Sequence, residues 1–250
     1  MSEGGVRLAG RTALVTGAGV RLGRAVALAL AEAGADVVVH YLSSRAEAAG
    51  VAAEIEALGR RSWLLRGDLS APDEADRVAR DAIAAAGRVD ILVSSASVFP
   101  EGRLREFSAA ELAGNVQVNA MAPLQLARAV AAQGIPADVI NFVDCRILEY
   151  DAAHVPYHLS KRMLAALTRE MAVEFAPLMR VNAVAPGLIL PPRGEGEEYL
   201  ERLRGTNPLG ARGGPDDVTR AVLFLLASPF ITGQVIFVDG GRHLRGSVYG

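Results

Sequence analysis

Cysteine occurs once, at Cys145, so no internal disulfide can form and a thiolate zinc site lacks its ligands. The histidines show no metal-ligand spacing, and no metal is expected; Cys145 is expected to be an inert buried thiol, and His154, His158 and His243 are assigned no role. No run of 18 apolar residues occurs, which excludes a membrane-spanning helix, and Met1 to Gly10 lacks the apolar stretch of a secretory signal. A cytoplasmic protein is expected. Excess charge of either sign is absent: 26 basic against 28 acidic residues leave a formal charge of −2, which argues against nucleic acid and membrane as partners. Lysine is nearly absent too. Of the 26 basic residues only Lys161 is not arginine, so one position keeps the compact ammonium.

What is present is apolar bulk, 51% hydrophobic residues over 250 positions, enough for one domain spanning 1–250 with a full core. Short β-branched runs are expected as strands at Thr12 to Thr16, Asp36 to Tyr41, Ser62 to Arg66, Ile91 to Ser95, Val139 to Val143, Arg180 to Val184 and Val235 to Val238. Between them, helical periodicity marks Gly23 to Ala33, Ala46 to Leu58, Glu74 to Ala86, Ala109 to Ala132, His154 to Ala176 and Asp216 to Leu226. The alternation predicts an α/β fold: a Rossmann-type, doubly wound, seven-stranded parallel sheet with helices on both faces. Residues 188–214 show no clear period and are rich in glycine and proline. Following a strand's C-terminal end, they suit a substrate lid, with a surface insertion as the alternative.

The first strand runs into Thr16-Gly17-Ala18-Gly19-Val20-Arg21-Leu22-Gly23, which opens a helix. Glycines there let a backbone approach a pyrophosphate, which sits on the helix N-terminus where free N–H groups and the dipole favour anions. Arg21 stands where a glycine is commoner; its guanidinium is expected to reach cofactor phosphate and the substrate pocket, or to be a solvated surface group. An NAD site places an acid at the end of the second strand. Here His40 is followed by Tyr41, Leu42, Ser43, Ser44 and Arg45, with no carboxylate to repel a 2′-phosphate, so NADP(H) is the expected cofactor. His40 itself reads equally as a phosphate ligand and as an ordinary strand-end residue.

Tyr157 and Lys161 lie one helical turn apart on one face. An ammonium at about 4 Å is worth up to roughly 4 kcal/mol at an effective dielectric of about 20, or about three pH units on the phenol. The spacing therefore predicts a Tyr157 whose proton is labile near neutrality, a general acid.

With the glycine turn, these residues resemble the short-chain dehydrogenase/reductase family from about Arg11 to Gly241. The resemblance implies Tyr157 as acid, Lys161 as ribose ligand, Asn119 as holder of a proton-relay water, and Asp68 with Leu69 beside the adenine. It places Ser95 and Ala96 in the family's Asn-Asn-Ala-Gly segment, here Ser94 to Ser97, and Pro186-Gly187 after the sixth strand. It also implies a homotetramer acting on a small molecule. Departures from the family pattern are specific: Asp144 replaces the usual serine thirteen residues before the tyrosine, Arg21 replaces a glycine, and the threonine after Pro186-Gly187 is missing. Arg21, Asp144, Tyr157 and Lys161 together resemble the pteridine reductase and dihydromonapterin reductase branch. There Phe99 matches a pterin-stacking phenylalanine, with Ser97 lining the same site.

Chemistry supports that direction. A carboxylate would repel the alkoxide formed in carbonyl reduction, whereas a protonated carboxyl, favoured by shelter beside Tyr157, can pass a proton to a ring nitrogen. The alternatives are a 3-oxoacyl or other carbonyl reductase, and a non-catalytic NADP(H) sensor. At single positions, Asp144 reads otherwise as a structural carboxylate and Phe99 as plain packing.

Overall fold

All seven expected strands form in the computed structural model, which describes residues 6–149, 151–192 and 194–247. They are β1 (Thr12–Val15), β2 (Asp36–Tyr41), β3 (Ser62–Arg66), β4 (Ile91–Ser94), β5 (Ala137–Phe142), β6 (Met179–Pro186) and β7 (Val235–Val238). They pair in parallel in the order β3-β2-β1-β4-β5-β6-β7, so the winding reverses between β1 and β4 and opens a crevice at their C-terminal ends. Residues 1–5 and 248–250 of the expected domain, Tyr150, and Arg193 of the expected lid lie outside the described residues.

The central strands β1, β4 and β5, covered on both faces, bury every side chain, which explains their continuous apolar runs, while β3 and β7 at the sheet's edges stay partly exposed. Ala13, Val15, Val37, Val39, Ile91 and Val93 face one layer, where α1 (Arg21–Glu32) supplies Val26 and Leu30 and α8 (Pro215–Ala227) supplies Val222 and Leu225. The alternate residues Leu14, Val38, Leu92, Val139 and Val181 face α3 (Glu74–Ala86), α5 (Ala122–Ala131) and α6 (Val155–Glu174). Also on the first face, α2 (Arg45–Ala57) packs Val51 and Ile55 beside Tyr41. At the opposite edge of the sheet Asp138 bridges Arg11 at 2.6 Å and Arg180 at 2.7 Å, tying three strand starts together.

Two expectations need correction. The single helix expected over Ala109 to Ala132 is α4 (Ala109–Val116), a π-helical turn at Gln117–Met121, and α5. Pro123 has no N–H to offer the Asn119 carbonyl four residues back, so the α ladder cannot continue there, and the Ala122 N–H instead donates five residues back to Gln117. The segment 188–214 is not devoid of regular structure: it carries α7 (Glu197–Leu203) and a 3-10 turn at Arg204–Thr206. Among the described residues no helix is long and apolar enough to cross a membrane.

Candidate active site

The glycine turn is shaped by contacts that side chains would block. Gly17 is left-handed at φ +64°, and a Cβ there would sit 3.1 Å from Ala96 Cα across the crevice; a Cβ on Gly23 would collide with the Gly17 carbonyl. Thr16 Oγ1 fixes the far wall by accepting the Ser95 and Ala96 N–H groups, each at 3.0 Å. Arg21 also has a left-handed backbone, φ +54°, the only non-glycine among the described residues to do so. The turn and the loop after β2 enclose an open cavity of about 360 Å³ lined by Val20, Arg21, Ser43, Ser44 and Glu47. This is a backbone cradle with hydroxyls, a guanidinium and the Glu47 carboxylate at its rim, and the cradle itself fits the pyrophosphate of a dinucleotide.

His40 is not placed to touch a phosphate. Only 2% exposed, its Nδ1 accepts the Gly17 N–H at 3.3 Å and its Nε2 donates to the Gly67 carbonyl at 3.2 Å. Burial holds it neutral, its pKa lowered to about 4. It braces the turn from beneath. Tyr41 and Leu69 are likewise buried in the two core layers, and Asp68 is exposed with Oδ1 accepting from the Ser70 N–H and hydroxyl. Gly187 donates its N–H to Val238 and packs so closely on Asp239 that a Cβ would overlap it.

At the C-terminal end of β5, Asp144 and Tyr157 meet. The Tyr157 hydroxyl donates to Asp144 Oδ2 at 3.0 Å, while Asp144 Oδ1 accepts the Arg146 N–H at 2.8 Å and caps the 3-10 turn Cys145–Leu148. Lys161, 2% exposed, donates to the Phe142 carbonyl at 2.6 Å, and its Nζ lies 5.8 Å from the Tyr157 ring centre. The expectation that Lys161 lowers the phenol pKa is therefore corrected. Burial, the Asp144 charge and the hydrogen bond to Asp144 raise Tyr157 well above its ordinary range, and burial lowers Lys161 to about 8. Tyr157 is a firmly held phenol beside a buried, easily discharged ammonium.

Asn119 sits in the π turn with its side chain fully engaged. Its Oδ1 accepts from the Ser97 hydroxyl and the Val98 N–H, and its Nδ2 donates to the Val98 carbonyl and to Ser160 Oγ, all at 3.0 Å. Ser160 Oγ in turn donates to the Tyr157 carbonyl at 2.6 Å. The π turn thereby joins the segment carrying Ser97 and Phe99 to the helix carrying Tyr157. Phe99 is 54% exposed, edge-on to Tyr157 at 4.5 Å and stacked on His154 at 4.0 Å.

Sequence reasoning missed the group behind that stack. Asp151 Oδ2 lies 2.6 Å from the Arg146 guanidinium, 3.3 Å from His158 Nε2 and 3.5 Å from His154 Nδ1, and Oδ1 accepts the Ala153 N–H at 2.8 Å. Its pKa is lowered to about 2 by that N–H and the neighbouring cations, against the opposing effect of burial. The one-turn spacing of His154 and His158 was the available signal. His243 also has a partner, Asp239, at 2.9 Å. Cys145 is buried, its thiol pushed up to about 12 by burial and the Asp144 charge. Among the described residues no trio of His, Cys, Asp or Glu is placed to hold a metal.

The family model described as Enoyl-(Acyl carrier protein) reductase matches residues 17–243. The L-rhamnose 1-dehydrogenase (NAD(P)(+)) of Sphingomonas sp. (strain SKA58) is 30% identical, covering 95% of this chain and 98% of that one. The (2S)-[(R)-hydroxy(phenyl)methyl]succinyl-CoA dehydrogenase subunit BbsD of Thauera aromatica is 34% identical, covering 94% and 97%. Among solved structures, FolM alternative dihydrofolate reductase 1 from Brucella canis, complexed with NADP, superposes with a TM-score of 0.87 at 31% identity, covering 94% and 95%. The chain belongs to the short-chain dehydrogenase/reductase family and is an NAD(P)-dependent oxidoreductase.

Proposed function

We propose that this protein is an NADPH-dependent reductase of a dihydropterin or related pteridine. The observation that carries the reading is the carboxylate at the acid position: Asp144 Oδ2 takes the Tyr157 hydrogen bond at 3.0 Å. The FolM alternative dihydrofolate reductase likeness supports it. Reducing a ring C=N adds a hydride at carbon and a proton at nitrogen. NADPH, when bound, supplies the hydride. The Asp144–Tyr157 pair supplies the proton, held at Tyr157 Oη and relayed through Asp144 Oδ2 to the ring nitrogen. Lys161 then steadies the phenolate and holds the ribose.

Gly17, Leu22 and Gly23 form the floor for the pyrophosphate in this reading, and Arg21, Ser43 and Ser44 surround the 2′-phosphate, with His40 and Tyr41 supporting them from the core. Asp68 and Leu69 border the adenine; Ser95, Ala96, Pro186 and Gly187 flank the nicotinamide. Asn119 positions Ser97, Phe99 and Tyr157 around the substrate. The exposed Phe99 face stacks the planar heterocycle, with Arg21 at its edge, and 188–214 closes over it. A homotetramer in the cytoplasm completes the reading.

Carbonyl reduction is the second reading, favoured by the two dehydrogenase relatives. It is opposed by the charge of Asp144, which would face a developing alkoxide. The test follows NADPH oxidation with dihydropterins, ketones and a 3-oxoacyl thioester. Dihydropterin turnover supports the proposal; efficient ketone or thioester reduction with no pterin turnover rejects it.

A further inference from the structure

Asp144 has an arginine two residues away that does not pair with it. Arg146 gives Asp144 Oδ1 its backbone N–H, at 2.8 Å, yet sends its guanidinium to Asp151 Oδ2, at 2.6 Å. Among the described residues, the only side chain hydrogen-bonded to Asp144 is then the Tyr157 phenol. Asp151 is well placed to keep this arrangement. Its side chain is 11% exposed, and both oxygens are held by the Ala153 N–H, Arg146 and His158, with His154 alongside.

We propose that Asp151 is a positioning residue: it sequesters the Arg146 guanidinium so that the Tyr157 hydroxyl is the only side-chain donor to Asp144. This rests on the reading of Asp144 and Tyr157 as the acid pair. A guanidinium folded onto Asp144 would form a charge-assisted pair and compete with the Tyr157 hydroxyl for its oxygens, which breaks the hydrogen bond that the proton route uses. The same carboxylate lies 3.5 Å from Nδ1 of His154, on which Phe99 stacks, so one buried anion stands behind both the acid pair and the ring platform.

Other charged or titratable groups face the pair. From α6 come Tyr157, His158, whose pKa burial lowers, and the Lys161 ammonium, the last two both feeling the Asp144 charge; Cys145 adjoins it in the 3-10 turn, and Asp239 and Arg242 act on Cys145 from the C-terminal segment. None of these provides a second arginine beside Asp144, so Arg146 is the cation whose release matters.

The test reads Tyr157, whose ionisation is opposed by the Asp144 charge. Tyrosinate absorbance is titrated on the full chain, with Tyr157→Phe subtracted to isolate the one phenol. In the unaltered protein Tyr157 stays protonated well above the ordinary range of a phenol. In Asp151→Asn the freed guanidinium offsets Asp144, and the Tyr157 midpoint falls by about one pH unit or more. In Asp151→Asn with Arg146→Gln it returns. Arg146→Gln alone leaves the midpoint unchanged, because Asp151 already holds that cation; this arm decides the matter even where Asp151→Asn does not fold. With a dihydropterin, Asp151→Asn loses about tenfold in kcat near neutrality, while NADPH affinity stays within about twofold. A midpoint unmoved in Asp151→Asn, one not restored in the double variant, or one shifted by Arg146→Gln alone overturns the inference. An unaltered enzyme inactive on every pterin overturns the proposed substrate instead, and the titration still decides the role of Asp151.

Discussion

Lys161→Met should stabilise the protein while removing its activity. The Lys161 pKa falls from 10.5 to about 8 because the ammonium is buried. At 1.36 kcal/mol per pH unit, that difference corresponds to a cost of about 3 kcal/mol for carrying the charge in the folded chain. The lost hydrogen bond to the Phe142 carbonyl offsets about 1 kcal/mol, and methionine fills a similar volume, leaving a net gain of about 2 kcal/mol near pH 7. For a chain of this size that raises Tm by roughly 4–8 °C. The sign with pH is fixed by the direction of the change. A lowered lysine pKa penalises the folded state fully below about 8, and the penalty fades as pH rises towards the unfolded value of 10.5, where both states have lost the proton. Thermal melts of the cofactor-free proteins at about pH 7 and about pH 10 therefore differ: a clear gain at the first, little at the second. A variant less stable than the parent at neutral pH, or a gain independent of pH, would refute the assignment of Lys161 as a buried charge awaiting a ligand.

Three further outcomes are expected. Asp144→Ser should cut dihydropterin reduction by roughly 10²–10⁴ and raise ketone reduction, read as kcat/KM on both substrates; equal pterin rates would remove Asp144 from the proton path. NADPH should be preferred over NADH by at least about tenfold in kcat/KM, and Ser43→Asp, which puts a charge at the cavity rim, should shrink that preference. His40→Asp should instead lower Tm, since it breaks the contacts to Gly17 and Gly67. Arg21→Gly should increase KM for a pterin more than for NADPH; a pterin KM left unchanged would confine the guanidinium to the cofactor.

The sheet was legible because it is written locally: each β-branched run carries its own period, and parallel burial on both faces makes it unbroken. The glycine turn was legible for the same reason, since its shape is set by residues within one strand-to-helix step. His40 was not, because whether a ring at a strand end points to solvent or inward depends on Gly17 and Gly67, 23 and 27 residues away. Pro123 did announce the break at Asn119, but periodicity alone spoke for an unbroken helix.

The acid pair shows where spacing stops being informative. One helical turn between Tyr157 and Lys161 fixes their Cα positions, and from that alone the ammonium seems the dominant neighbour of the phenol. The direction of a four-carbon stem is decided elsewhere, here by the Phe142 carbonyl, which draws Nζ to 2.6 Å and leaves the Tyr157 hydroxyl to Asp144. An anion at hydrogen-bond distance and burial outweigh a cation 5.8 Å from the ring, so the phenol holds its proton more tightly. In the proposed reading a ribose hydroxyl bound to Lys161 would favour its charged form against the effect of burial and shift the balance back towards proton release. Cofactor binding and acid strength would thereby be coupled through one buried nitrogen, a task for which a compact ammonium suits better than any of the chain's 25 arginines.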